Sequence, residues 1–186
     1  MNPDFLDLLR AFIAAEVRFM IVGAYALGAH GRPRATGDLD VWIEASATNA
    51  PRVLRALQQF GASTAEISAS ELAQPGVVFQ IGVPPRRIDI LTELTGLSFH
   101  DAWERRVCKP FGEVQVDFIG RDDLIRNKRA TGRARDSQIS RIWEGDDSLR
   151  CSRTFPASRG SARAPSDRST ASPCGNRCGL LRPRSR

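Results

Sequence analysis

Apolar positions along the first two thirds of the chain follow two periods, one suited to helices and one to strands. Asn2-Pro3-Asp4 supplies an N-cap, a proline at the first helical position and an acid in the first turn. Phe5, Leu8, Leu9, Phe12 and Ile13 then recur at helical spacing, which predicts a helix with one buried face. Phe19–Val22 is a short apolar run that stops at Gly23 and predicts a strand. Ala24–Ala29 is rich in small residues and predicts a closely packed helix. A polar, glycine-punctuated loop, His30 to Gly37, leads into a second strand, Asp38-Leu39-Asp40-Val41-Trp42-Ile43. Asn49–Phe60 carries Val53, Leu54, Leu57 and Phe60 as a helical stripe, and Ser68 with Glu71 is spaced as a capping box for a short helix ending by Pro75. Val77–Val83 and Arg87–Leu91 read as strands parted by Pro84-Pro85. Phe99–Val107 predicts a helix anchored by Trp103 and Val107, Val114–Phe118 a strand, and Arg121–Ala130 a helix stopped by Gly132. This order predicts an α/β domain: a short mixed, twisted sheet with helices mainly on one face and a carboxylate-lined cleft at one edge.

Beyond about Asp147 the pattern ends. Residues 148–186 are dominated by Arg, Ser, Pro, Ala and Gly, with neither period and almost no large apolar side chains. Such a composition buries too little surface to offset ordering entropy, so a folded domain over 1–147 and a disordered tail over 148–186 are expected. The charge divides at the same place. The net charge of +6 arises wholly from the tail, where nine arginines face one aspartate, while the body is close to neutral. A basic arm of this kind could hold RNA electrostatically; the reading favoured here is that Arg/Ser/Pro/Ala-rich text reflects out-of-frame translation of a GC-rich gene, with a native C-terminal helix missing. Cys174 and Cys178 lack the further ligands of a structural zinc site, and Cys108 stands alone in the body. Unpaired thiols, an acidic amphipathic N-terminus unlike a signal peptide, and no run of 18 apolar residues together predict a cytoplasmic protein.

The candidate chemistry lies between Ile21 and Glu44. On a strand, residues i and i+2 share a face, so Asp38, Asp40 and Trp42 point one way and Leu39, Val41 and Ile43 the other. Two same-face carboxylates roughly 7 Å apart repel unless a cation lies between them. An all-oxygen set suits Mg²⁺, which binds one or two carboxylates together with substrate phosphates. Gly23 sits where a strand must turn into a helix and lets backbone amides approach a phosphate. Arg34 and Thr36 lead into the acid pair and supply a guanidinium fork and a hydroxyl for phosphates. A third carboxylate could come from Asp89 in RIDIL or from Asp117 in VQVDF, and periodicity cannot choose between them. His30 reads first as a structural hydrogen-bond donor.

The sequence apolar-strand–Gly23–Ala24, then His30-Gly31 and Arg34-x-Thr36-x-Asp38-x-Asp40, resembles the polymerase-β-type nucleotidyltransferase superfamily over residues 17–136. It is most similar to the small bacterial branch that includes AbiEii-like toxins. The resemblance implies that Asp38, Asp40 and Asp89 are catalytic metal ligands for two Mg²⁺ ions, with Asp89 preferred over Asp117. It further implies that Gly23, Ala24, Arg34, Thr36 and Lys128 bind the nucleotide, and it assigns Asp136 to the start of a following helix. Ala24 departs from the usual Gly-Ser or Gly-Gly, losing a hydroxyl while keeping the amide. The expected activity is transfer of an NMP from an NTP to a hydroxyl acceptor: an RNA end, a protein, or a small molecule such as an aminoglycoside. An antitoxin partner is expected if the protein is a toxin of such a pair, and no membrane partner is expected. The alternative is a catalytically degenerate module of the same fold that binds nucleotide, RNA or a protein.

Overall fold

The computed structural model describes residues 2–83 and 85–132. Asp136, the boundary near Asp147 and the arginine-rich tail lie outside the described residues. The elements run α1 (Pro3–Ala14), β1 (Phe19–Ile21), α2 (Gly23–Ala29), β2 (Leu39–Ile43), α3 (Ala50–Phe60), α4 (Ala69–Leu72), β3 (Val78–Val83), β4 (Arg86–Leu91), α5 (Phe99–Glu104), β5 (Val107–Phe111), β6 (Val114–Phe118) and α6 (Arg121–Thr131). The local signals act where they are written. The Asn2 side chain accepts the Asp4 N–H at 3.1 Å, Ser68 and Glu71 form a reciprocal capping box, and α6 ends at Gly132 in the left-handed conformation.

The six strands form one mixed sheet in the order β3-β4-β2-β1-β6-β5. β2 is parallel to β4, and β1 to β6; the other neighbours are antiparallel. Register assigns the two faces. Phe19 lies opposite Ile43, Met20 opposite Trp42, and Ile21 opposite Val41. Phe12 of α1 meets Phe19 edge-on at 5.3 Å, so α1, with α3 beside it, covers the Leu39–Val41–Ile43 face. Phe5, Leu8, Leu9, Phe12, Val53 and Leu57 are all buried there. On the other face Trp42 meets Phe99 of α5 at 5.0 Å. Asp40, two residues before Trp42, therefore opens away from α1. Helices flank both faces of the sheet, rather than mainly one.

Several local expectations are corrected. The helix predicted over Phe99–Val107 stops at Glu104, and Val107 opens β5 instead. The sequence of β5, VCKPF, hides its nature because a lysine and a proline interrupt it; both are tolerated on an edge strand, and among the described residues β5 pairs with β6 alone. Trp103 stacks on Phe99 at 5.6 Å and lies beneath the guanidinium groups of Arg106 and Arg18 at 4.0 and 4.8 Å. In α3, Ala50 and Ala56 join Val53 and Leu57 in the buried stripe, while Leu54 and Phe60 are half-buried. In α6 the buried positions are Asp123, Leu124 and Asn127 rather than Leu124 with Ile125. Asp123 is fully buried because Arg105 forks onto it with two bonds of 2.8 Å. Finally, the apolar run of β3 is an edge strand, with Val83 76% exposed.

Candidate active site

The site begins at the end of β1. Val22 N–H donates to the Asp40 carbonyl at 3.0 Å, so the chain is still pinned to β2 as it turns into α2. Gly23 follows with φ +63°, a conformation that favours glycine. A Cβ built on Gly23 would stand 1.9 Å from Asp40 Oδ2. The glycine therefore makes room for a carboxylate as well as exposing its backbone, a reason for it that strand-to-helix geometry alone does not reveal.

Asp40 and Asp89 are direct register partners on the parallel strands β2 and β4, so both side chains leave the same face of the sheet from adjacent positions. Asp38 lies in the loop just before β2. Its N–H donates to Thr36 Oγ1 at 3.1 Å, and Thr36 Oγ1 donates back to the Asp38 carbonyl at 3.2 Å. The Thr36 hydroxyl thus shapes the loop that carries Asp38. Gly37 between them has no room for a side chain, because a Cβ there would lie 1.7 Å from the Pro85 carbonyl oxygen at the head of β4.

A cleft of about 800 Å³ opens over this face, and Gly23, Ala24, Arg34, Thr36, Asp38, Asp40, Asp89 and Lys128 all line it. Eight residues spread over more than a hundred positions of sequence come together in one cavity. Burial pushes the Asp40 carboxyl up from 3.8 to about 6, and the Asp89 charge adds to this; Lys128 opposes it, Asp38 reinforces it, and Arg87 opposes it. Asp89 is buried, Asp38 and Lys128 are half-buried, and Arg34 is exposed. All-oxygen donors on one wall, destabilised by their own like charges, fit a hard divalent cation. The fit is incomplete as the side chains stand. Among the described residues no three Asp, Glu, His or Cys side chains are grouped to hold an ion.

Arg87 occupies part of this carboxylate cluster, and the sequence reading missed it. Its Nη2 donates to Asp89 Oδ2 at 2.9 Å and lies 3.6 Å from Asp38 Oδ2. Arg87 Nε is 2.7 Å from Asp89 Oδ1 but off the line of a directed bond, so this contact is an ion pair only. Gln80, across from Asp89 on β3, donates to Oδ1 at 3.2 Å. The signal was available: Arg87 and Asp89 are i and i+2 on one strand, hence on one face. Gln80 and Asn127 also line the cleft and were not singled out; Asn127 is fixed by donating to the Thr95 carbonyl at 3.0 Å.

Two other candidates fall elsewhere. Asp117 on β6 pairs with Arg106 at 3.2 Å beside Trp103 and does not line the cleft. Burial raises its pKa, with Arg106 opposing. The His30 ring contacts the Ile119 carbonyl through Nε2 at 2.8 Å, tying the end of α2 to the segment after β6, and burial lowers its pKa.

The arrangement has a counterpart among solved structures. A provisionally assigned nucleotidyltransferase from Thermotoga maritima superposes with a TM-score of 0.50 at 12% identity, over 78% of this chain and 96% of that one. At that identity the likeness is one of fold, and the chain has a nucleotidyltransferase-like fold. No protein-family model and no curated sequence matches the chain.

Proposed function

We propose that the protein is a metal-dependent nucleotidyltransferase that moves an NMP from an NTP to a hydroxyl acceptor, releasing pyrophosphate. The observation that carries this reading is the in-register pair Asp40–Asp89, with Asp38 beside it, facing a cleft that also holds Arg34 and Lys128. Asp38, Asp40 and Asp89 would hold Mg²⁺, which when bound neutralises phosphate charge and favours the acceptor alkoxide. The chain's own part is positioning. Arg34 and Lys128 place positive charge against the triphosphate, and the backbone at Gly23 and Ala24 lines the same cleft, where its amides can meet a phosphate. The acceptor is an RNA end, a protein hydroxyl or a small-molecule hydroxyl. The test is transfer of label from α-labelled NTPs to RNA, protein and aminoglycoside acceptors, with and without Mg²⁺. Label transfer that needs Mg²⁺ and disappears in Asp40→Asn supports the reading; transfer unaffected by that change overturns it. A toxin role, with a cognate antitoxin, predicts growth arrest on induction that Asp40→Asn abolishes.

Two observations favour a second reading. The ion pair of Asp89 with Arg87, together with Ala24 in place of a hydroxyl residue, suits a module that binds nucleotide without turnover. Saturable NTP binding with no transfer to any acceptor class would select it.

A further inference from the structure

We propose that Arg87 is an internal counter-cation that competes with a divalent ion for Asp89, holding part of the carboxylate cluster closed until nucleotide phosphates draw the guanidinium away. This inference rests on the nucleotidyl-transfer reading. Its basis is the geometry of one side chain. Both oxygens of Asp89 are engaged by groups of the chain itself, Arg87 on Oδ1 and Oδ2 and Gln80 on Oδ1. The same guanidinium reaches Asp38 at 3.6 Å, so it touches two of the three carboxylates that would hold metal. Two carboxylates against one guanidinium is a charge arrangement that a divalent cation could take over, since the attractions it offers are of the same kind and larger.

The neighbourhood allows the exchange. Asp89 is fixed by its ladder position opposite Asp40 and is buried, so it cannot leave the cleft to find another partner. Arg87 is a long side chain near the outer end of β4, with its side chain 27% exposed, and it lines the same cleft that would receive the triphosphate. A guanidinium forked onto a carboxylate can re-fork onto a phosphate, because the two anions present similar pairs of oxygens. Nucleotide entry would then uncover Asp89 for the ion, and ion binding and nucleotide binding would reinforce one another. The plain alternative is a structural ion pair that anchors β4 and has no bearing on metal.

The two differ in a measurement that does not need turnover. Mn²⁺ is titrated into the full chain by electron paramagnetic resonance, for the wild type, Arg87→Gln, Arg87→Lys and Asp40→Asn. Without nucleotide, Arg87→Gln should bind Mn²⁺ about tenfold more tightly than the wild type, with Arg87→Lys between them. A non-hydrolysable NTP should bring the wild type close to the Arg87→Gln affinity. In EDTA, Arg87→Gln should melt below the wild type, and Mn²⁺ should restore it. Superimposable Mn²⁺ isotherms, or weaker binding by Arg87→Gln, overturn the proposal. So does a variant that fails to fold even with Mn²⁺, since the pair is then required by the fold. Asp40→Asn separates the two failures. If label is transferred in an Asp40-dependent way while Arg87 leaves Mn²⁺ binding unchanged, only this proposal falls. If the wild type binds no Mn²⁺ and transfers no label, the nucleotidyl-transfer reading falls with it.

Discussion

Asp40 is the residue on which the charge balance of the cleft turns. Its carboxyl titrates near 6 in the folded chain against an ordinary 3.8, chiefly from burial and then from Asp89. Below about pH 4 it is protonated in both states and contributes no difference. Between about 4 and 6 the folded chain keeps a proton that the unfolded chain has released, so this group lowers stability as pH rises, and the loss is complete above 6. The full effect is on the order of 3 kcal/mol. Because other carboxylates slope the opposite way, the measurable quantity is the wild type minus Asp40→Asn. In EDTA the variant should gain several degrees on the wild type between pH 4 and 7. A divalent ion needs the ionised form, so Mg²⁺ should raise the wild-type melting temperature more at pH 7.5 than at 5.5. Parallel melting curves for the two proteins across that range would refute the assignment. Gly23 gives a second check on the same carboxylate. Gly23→Ala brings a Cβ onto Asp40 Oδ2 and strains a φ of +63°, at a cost of roughly 2 kcal/mol or more. In an Asp40→Ala background the collision with the carboxylate is gone and only a Cβ–Cβ contact of 3.0 Å is left, so about 1 kcal/mol, chiefly backbone strain, should remain. Equal losses in both backgrounds would mean that the contact is unimportant.

At the scale of elements, the question the sequence left open is which strand supplies the third carboxylate. Both Asp89 and Asp117 interrupt short apolar strands, but β4 is hydrogen-bonded beside β2, whereas β6 lies on the far side of β1. Asp89→Asn should therefore lower transfer by roughly two orders of magnitude or more. Asp117→Asn should change transfer by less than about threefold, while loosening Arg106 over Trp103. Equal inactivation would place Asp117 in the chemistry after all. Much of the element list was legible because caps and periods are local: Asn2-Pro3, Ser68-x-x-Glu71 and Gly132 each fix an end within four residues. The same-face acids of β2 were legible from a period of two. What was hidden depended on neighbours distant in sequence. β5 looked like a helix end because nothing local marks VCKPF as an edge strand. Nothing local marks Asp123 or Asn127 as buried; Arg105 and the Thr95 carbonyl, distant in sequence, are what partner them. Arg87 carried a same-face signal, but its meaning lay in the register that brings Asp38 and Asp40 alongside.

At the scale of the whole molecule, the described residues hold the eight predicted site residues of the cleft and the six strands of the sheet. The basic excess lies beyond them, in 148–186. Deleting 148–186 should leave the circular dichroism spectrum essentially unchanged and abolish salt-sensitive, sequence-indifferent RNA binding. A truncated chain that unfolds would show that the tail supports the domain. Within the domain, the carboxylates are held in two different ways. Asp40 and Asp89 stand on neighbouring rungs of one hydrogen-bonded ladder, so their backbones cannot separate without breaking the sheet. Asp38 hangs from a loop shaped by Thr36 and crowded by the Pro85 carbonyl. The cleft thus has one jaw set in the sheet and one carried on a loop, like a vice. Under the proposed metal-dependent reading, whatever tunes the hold on a cation would act on the loop-borne jaw, or on the arginine resting between the two.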